Sequence, residues 1–193
     1  MVNQAKHDRQ EVIEKATLLF WEKGFHATSM RNLQDHIDMR PGSIYAAFGS
    51  KEGLFKETLQ CYADNSVSRL AAAVDATNSP LEALKNFLKN VVLGRQSAAP
   101  NEMCMLVKTV SELTEENAEL LAEAKRLLKV MEDQFTALLE QAKAQGELGS
   151  SSDPRRLARL LQMQLIGLRA YTRVNPDDGT VNQLIDDVFA NLH

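Results

Sequence analysis

The chain has 193 residues, of which 44% are hydrophobic and 25% are charged, and its net charge is −4 at pH 7. This composition is that of an ordinary globular protein with one or two compact units. No run of about 18 apolar residues is present, so no transmembrane helix is predicted. The first residues, MVNQAKHDRQEV, lack the apolar segment of a secretory signal. We therefore expect a cytoplasmic protein that does not enter the membrane.

The chain offers little for metal binding or disulfide formation. Its two cysteines, Cys61 and Cys104, are too few for a disulfide framework and lack the paired spacing of a zinc site. The four histidines are scattered and form no H-x-x-H motif. No metal site and no cofactor are predicted.

Charge is distributed unevenly along the chain. Residues 1–56 hold eight Lys/Arg against seven Asp/Glu, whereas the remaining residues hold fourteen against nineteen. Nucleic-acid-binding domains are usually basic, so a nearly neutral N-terminal part beside an acidic C-terminal part is only weak support for one. The local placement of Arg31, Arg40 and Lys51 matters more, because contact with phosphate is short-ranged at cellular salt.

Helical spacing runs through the whole N-terminal part. An apolar stripe predicts helix 1 at about 8–23, and Gly24 is its stop signal. Two short amphipathic helices follow within residues 29–48, with Thr28 and Ser29 as candidate N-caps and Pro41 at the start of the second. Their apolar faces consist of Met30, Leu33, Ile37, Ile44 and Phe48. This plan is that of a helix-turn-helix, whose second helix can enter a DNA major groove.

The rest of the chain also predicts helices only. Ser50 starts a long helix at about 51–76, and Ser79-Pro80 starts another that ends near Gly94. After a connector at 96–101, a short helix is expected from Met103 to about Leu113 and a long one from Thr114 to about Gln145. Two final helices are expected at about 154–174 and from about Val181 to Leu192. The sequence therefore predicts an all-α protein of about nine helices.

Roughly the first 60 residues resemble the TetR/AcrR family of transcriptional regulators. Many positions of the family pattern match at fixed spacing: Arg9, Ile13, Ala16, Leu19, Phe20, Gly24, Phe25, Thr28, Ser29, Gly42, Ser43, Ile44, Tyr45, Phe48, Ser50, Lys51, Glu52, Leu54 and Phe55. Arg40-Pro41 departs from the family, which often has Ser-Lys or Ser-Arg there. The resemblance implies a DNA-binding head at 1–56 and an effector-binding and dimerisation body at 57–193.

The resemblance also implies which residues of the head meet double-stranded DNA. Ser29 and Arg31 are assigned to phosphates, and Tyr45 and Lys51 resemble the family's phosphate contacts. The outward side of the second short helix is assigned to the bases. The full predicted DNA-binding set is Thr28, Ser29, Arg31, Arg40, Pro41, Gly42, Ser43, Tyr45, Ala46 and Lys51. The alternative is that Tyr45 only packs and that the lysine is merely solvated.

The last two helices carry wide apolar stripes. Their apolar positions include Leu157, Leu160, Leu161, Leu165, Ile166 and Leu168, with Gly167 permitting close approach. Periodicity alone leaves open whether these residues form intramolecular core or half of an intersubunit four-helix bundle. The resemblance favours a homodimer through about 154–192, and a two-fold dimer implies a palindromic operator.

The body is expected to bind a small-molecule effector. Cys104 and Lys108 lie in a stretch that is similar to a G-C-L-x-V-K segment of some TetR regulators, which suggests a reactive thiol. The alternative is that Cys104 is a small buried apolar residue. An effector pocket is predicted from Met103, Met131, Phe135 and Met163, which could equally be simple core. The predicted function is a repressor released from its operator by an effector. A helical interaction protein with a degenerate head and a cysteine-dependent enzyme are the alternatives.

Overall fold

The computed structural model describes residues 9–94 and 103–192. In this part of the chain it contains nine α-helices and one short 3-10 turn, and no strand. The helices are α1 (Arg9–Lys23), α2 (Met30–Ile37), α3 (Pro41–Phe48), α4 (Lys51–Asp75), α5 (Pro80–Val92), α6 (Met105–Glu112), α7 (Ala118–Ala144), α8 (Pro154–Thr172) and α9 (Asp178–Ala190). The all-α prediction is confirmed.

Several helices begin at the capping residues that the sequence predicts. Ser29, Ser50 and Ser79 each accept a hydrogen bond from the backbone N–H three residues on. Asp153 caps α8 in the same way through Arg155 and Arg156. These caps satisfy N–H groups that have no partner inside the helix, so they fix where each helix begins.

Two predicted helix starts are corrected. The long helix α7 begins at Ala118 rather than Thr114, because residues Glu115–Asn117 form a 3-10 turn first. The short helix α6 begins at Met105 rather than Met103, with Cys104 as its N-cap. The predicted connector at 96–101 lies outside the described residues.

The head consists of α1, α2, α3 and the first turns of α4. Its centre is a group of aromatic rings in which Phe20 packs edge-on against Phe55 at 4.8 Å between ring centroids, and Phe25 lies 5.0 Å from Phe55. This core continues without interruption into residues of α6 and α7, including Leu106 and Leu127. The head is therefore packed directly against the body.

The body is a bundle in which α7 packs against α8, and α4 and α5 pack against α7. Its core centres on Phe87 and Phe135, whose rings meet edge to face at 5.9 Å. Helix α4 crosses from head to body without a break, so the predicted division between residues 56 and 57 falls inside it and stays a prediction. None of the helices in the described ranges is long and apolar enough to span a membrane.

Candidate nucleic-acid interface

Helices α2 and α3 form a helix-turn-helix that is closed by local interactions. At the start of α2, Ser29 and Asn32 bond reciprocally: the Ser29 Oγ accepts from the Asn32 N–H at 3.1 Å, and the Asn32 Oδ1 accepts from the Ser29 N–H at 2.9 Å. Asp38 ends α2 in the left-handed region at φ 53°, a conformation that Asp tolerates better than most residues. Pro41 then supplies the first residue of α3. The predicted turn is confirmed.

The two short helices divide cleanly into an inner and an outer face. Leu33, Ile37 and Ile44 are fully buried, so they fix the angle between the helices. On the outer face, the predicted DNA-contacting residues that are exposed are Ser29, Arg31, Arg40, Gly42, Ser43, Tyr45 and Ala46. Arg31 pairs with Asp35 only at 4.0 Å, and the Arg31 side chain is 89% exposed. Such a surface pair is worth little, so Arg31 can exchange it for a phosphate.

The first turn of α3 is open to a ligand. Its N-cap, Arg40, makes no side-chain hydrogen bond to the helix, and Pro41 has no N–H to satisfy. A β-carbon added at Gly42 would meet no atom within 4 Å. The backbone of α3 is therefore unshielded at the end where a recognition helix meets base edges.

One predicted contact residue, Thr28, is corrected. Its side chain is completely buried, and its hydroxyl donates to the Gly24 carbonyl at 2.6 Å. This bond closes the turn between α1 and α2, where Gly24 has a φ of 88°. Thr28 therefore shapes the turn from inside and offers no surface to DNA, and Ser29 is the residue that caps α2.

Lys51 lies at the N-terminus of α4 but is only half exposed. Its ammonium lies 4.3 Å from the centre of the Phe25 ring, a cation–π contact. Burial lowers the pKa of Lys51, and the nearby carboxylates of Glu52 and Glu112 act in the opposite direction. The ammonium stands where helix N–H groups also attract anions. Reaching a phosphate would require it to move off the ring.

Arg9 is a structural partner of α3, a role that was not predicted from the sequence. Its guanidinium lies 4.3 Å from the centre of the Phe48 ring and donates to the Ala47 carbonyl at 2.9 Å. It also pairs with Glu57 on α4. Arg9 therefore ties the end of α3 to α1 and α4. The match of Arg9 to the family pattern could have indicated a structural role, whereas the helical periodicity of α1 did not.

Contacts from α6 hold the head against the body. The Glu112 carboxylate accepts from the backbone N–H groups of Phe25 at 3.1 Å and His26 at 2.7 Å. The Lys108 ammonium donates to the carbonyls of Trp21 at 3.2 Å and Glu22 at 2.7 Å, the last turn of α1. The charge of Lys108 therefore satisfies the C-terminal end of α1, and its predicted place in the effector site stays a prediction.

A cavity of about 80 Å³ lies between the helices of the body. Of the predicted effector residues, Cys104, Met131 and Phe135 line it. Met163 does not, because its side chain is 68% exposed on α8. Met103 is not among the described lining residues either, and its carbonyl accepts from the Trp21 Nε1–H at 2.6 Å. Cys104, Met131 and Phe135 thus line one cavity, whereas Met103, Met163 and Lys108 are not among its described lining residues, and the binding of an effector there stays a prediction.

Several polar or aromatic lining residues were not predicted, among them one from each of three helices. Trp21 comes from α1 of the head, Tyr62 from α4 and Arg169 from α8. Arg169 interrupts an otherwise apolar stripe of α8, and this pattern could have indicated that it lines a site. The sequence around Trp21 and Tyr62 gives no such indication, because both occupy positions that are typical of an ordinary core. Within the described ranges, no group of three metal-ligating side chains comes together.

A helix-turn-helix with an exposed polar outer face, packed on a helical body with an internal cavity, defines a DNA-binding regulator. Residues 12–58 match the family described as "Bacterial regulatory proteins, tetR family". Residues 80–187 match the family described as "Tetracyclin repressor-like, C-terminal domain". The chain belongs to the tetR family of bacterial regulatory proteins, a family of transcriptional regulators rather than enzymes.

Relatives of known name are similar over all or part of the chain. The uncharacterized HTH-type transcriptional regulator YezE of Bacillus subtilis is 27% identical and covers 100% of this chain and 98% of its own length. The HTH-type transcriptional repressor ComR of Escherichia coli is 26% identical over 86% of this chain and 80% of its own. The repressor KstR2 of Mycobacterium tuberculosis is 35% identical, over 45% of this chain and 44% of its own.

Solved structures confirm the fold over the full length. A cysteine mutant of the TetR family regulator CifR, complexed with 26-base-pair operator DNA, superposes with a TM-score of 0.89 at 23% identity and covers 100% of both chains. A TetR family regulator from Cytophaga hutchinsonii gives 0.86 at 20% identity, covering 100% of this chain and 98% of that one.

Proposed function

We propose that this protein is a transcriptional repressor that binds a palindromic operator as a homodimer and leaves it when a small molecule occupies the body. The observation that carries the proposal is the uncapped first turn of α3, which lies beside the exposed cationic and hydroxyl groups of Arg31, Arg40, Ser43 and Tyr45. Phosphate contacts would position the head, and α3 would read base edges. ComR and KstR2 are named repressors, which supports repression rather than activation as the proposed effect on transcription. A cytoplasmic location follows from DNA as the partner.

The second copy in the proposed dimer would pack on α8 and α9. The exposed apolar side chains Leu160, Met163, Tyr171 and Val174 all belong to α8 or the residues that follow it. Leu160 and Tyr171 border a groove whose other wall is α9, with Leu184 and Val188. A continuous strip of exposed apolar side chains is typical of a protein–protein interaction surface. A symmetric dimer through this face would present two heads to two half-sites of DNA.

The effector would act through α6, which touches both the cavity and the head. Cys104, Leu106 and Val107 line the cavity at the start of α6, and Glu112 holds the α1–α2 turn at its other end. A ligand that shifts α6 therefore shifts the head to which it is bonded. This is a coupling between two sites, and it requires a ligand that prefers one of two conformations.

Operator binding is tested by fluorescence anisotropy with labelled DNA from upstream of the gene, against a scrambled duplex of equal length. We expect specific binding that weakens steeply with salt. Tyr45→Ala should weaken binding to both duplexes by a similar factor, about tenfold, because a phosphate contact carries no base information. Lys51→Ala should do the same. Equal wild-type affinity for both duplexes would overturn the proposal and favour the helical interaction protein.

A further inference from the structure

The side chains of α3 are almost all small or apolar. Its sequence, PGSIYAAF, contains no arginine, lysine, asparagine, glutamine or acidic residue. Those are the side chains that read base edges most selectively: arginine and lysine bind guanine, asparagine and glutamine bind adenine, and carboxylates accept from cytosine. No side chain of α3 can therefore make a bidentate hydrogen bond to a base.

Ala46 lies at the centre of the outer face of α3. The buried side chains Ile44 and Phe48 define the inner face, and Ala46 lies two residues from each of them. Two residues along an α-helix correspond to a rotation of about 200°, so the Ala46 methyl group points away from the core. Ala46 is also exposed to solvent. In a major groove, the base group that matches this methyl group is the C5-methyl of thymine.

The hydroxyl side chains of α3 select between bases poorly. The Ser43 hydroxyl can donate or accept, so it suits several bases. Ser43 and Tyr45 both adjoin the buried Ile44 in the chain, which puts each of them about 100° round the helix from the inner face. They therefore stand at the two sides of α3, and Ala46 stands between them.

The cation nearest to the start of α3 is Arg40. It is exposed, and its side chain makes no hydrogen bond to the helix that it caps. Arg31 and Gln34, by contrast, belong to α2, the helix that crosses the DNA backbone in a helix-turn-helix. The N-terminal end of the recognition helix meets base edges, so the Arg40 guanidinium is placed to bind O6 and N7 of a guanine.

We propose that each operator half-site is recognised through a thymine methyl group against Ala46 and a guanine against Arg40. The phosphate contacts assigned to Arg31 and Tyr45 position the head and carry no sequence information. This inference rests on the proposed function, because it names two bases that the operator must contain. It makes Ala46 and Arg40 the residues that determine specificity.

The first experiment uses chemically altered DNA and the unaltered full-length protein. The operator is obtained by selection from duplexes with a randomised centre, and each thymine is then replaced in turn by deoxyuridine. This replacement removes the C5-methyl group and keeps every hydrogen-bonding group of the base. At one position in each half-site, the affinity measured by fluorescence anisotropy should fall about fourfold, the effect of exposing one group of methyl size. An affinity that no such replacement lowers overturns the role of the thymine methyl group.

A pair of glycine variants tests the partner of that methyl group. Ala46→Gly should bind the thymine and deoxyuridine operators equally. Ala47→Gly is the matched control, because it carries the same loss of helix propensity in the same helix while Ala47 adjoins the buried Phe48 and lies at the side of α3. It should keep the fourfold difference. A difference that persists in Ala46→Gly overturns the role of Ala46, and if that variant does not fold, the deoxyuridine series still decides.

Arg40 is tested with 7-deazaguanine, which lacks the N7 acceptor. At one guanine in each half-site this base should lower the affinity of the unaltered protein about tenfold, whereas Arg40→Ala should bind both operators equally. Arg31→Ala is the control of equal charge. It should weaken binding to every duplex and keep the tenfold difference, because a phosphate contact does not distinguish bases. A difference that persists in Arg40→Ala overturns the role of Arg40.

The outcomes separate this inference from the proposed function. A selection that enriches no sequence overturns both, since a repressor needs an operator. A selection that enriches a palindrome, whose binding is then unaffected by either altered base, overturns the inference alone and leaves the repressor standing.

Discussion

At the scale of the residue, Gly42 is a glycine that the fold does not require and that we propose for close approach to DNA. It lies in the first turn of α3, is exposed, and has open space where a β-carbon would stand. Packing therefore gives no reason for a glycine here, whereas close approach of the backbone to DNA would give one.

We expect Gly42→Ala to weaken operator binding by about tenfold while leaving the protein as stable as before or up to about 1 kcal/mol more stable. The added methyl group meets nothing in the protein but stands between the α3 backbone and the DNA. Thermal unfolding and anisotropy measured on the same preparation test both parts. Unchanged operator affinity would show that DNA does not approach this turn closely.

Cys104 is the residue that we propose for a covalent response to an effector. It is partly buried, lines the cavity and occupies the N-cap position of α6 without a side-chain hydrogen bond to the helix. Cys61 on α4 is also partly buried, but it lies away from this cavity, and burial raises the pKa of its thiol. A raised thiol pKa leaves less of the reactive thiolate at neutral pH.

We expect Cys104→Ser to keep operator binding and to lose release by a thiol-reactive quinone, while Cys61→Ser keeps both. Modification of the N-cap residue of α6 would displace the helix that holds the head. Release is followed by anisotropy before and after treatment. Release that persists in Cys104→Ser would leave Cys104 as a packing residue and the effector as non-covalent.

At the scale of the element, α6 is a short helix that connects the cavity of the body with the α1–α2 turn of the head. Its start borders the cavity, and its last residue, Glu112, accepts two backbone N–H groups of the α1–α2 turn. The fit is close, since a β-carbon at Gly24 would stand 2.4 Å from the Glu112 Oε2. These two N–H groups belong to residues outside any helix, so Glu112 replaces the partners that a helix would have supplied.

We expect Glu112→Gln to lower the free energy of unfolding by about 1–3 kcal/mol, because the amide replaces one accepting oxygen with a donor that faces an N–H. Operator binding should survive near neutral pH, whereas its response to effector should weaken. Urea unfolding and effector titration of the DNA complex provide the readouts. Glu116→Gln in the exposed 3-10 turn is the control and should change neither. Wild-type stability in Glu112→Gln would mean that the α1–α2 turn does not need this carboxylate.

At the scale of the whole molecule, the proposed dimer depends on the strip of exposed apolar side chains on α8. Met163 is 68% exposed and lies between Leu160 and Tyr171 along the helix. Covering such a strip with a second copy removes apolar surface from water, at roughly 25 cal/mol per Å².

We expect sedimentation at micromolar concentration to give twice the 21.5 kDa chain mass, and Met163→Glu to give the monomer mass with loss of operator binding. A buried carboxylate at a two-fold interface would face its own symmetry mate, and like charges repel. Lys125→Glu, on the exposed side of α7, serves as the control and should remain dimeric. A monomeric parent protein would remove the basis for a palindromic operator.

Local chemistry was enough for the sequence to determine the helices and the head. Ser29, Ser50, Ser79 and Asp153 cap helices because a side-chain oxygen two or three residues away is all that an N-terminus requires. The apolar faces of α2 and α3 follow from the helical repeat in the same way. Length, caps and periodicity therefore gave the order and approximate bounds of the helices without any tertiary information.

Only the tertiary structure decided which side chains meet across the fold. Trp21, Tyr62 and Arg169 are far apart in the chain, and each has a local pattern compatible with core, yet they share one cavity wall. Thr28 matched a surface motif but is buried, and Met163 matched a core pattern but is exposed. The helical repeat fixes which residues share a face of one helix. The neighbour that covers that face is set by how the helices pack, because burial depends on contacts between residues that are distant in sequence.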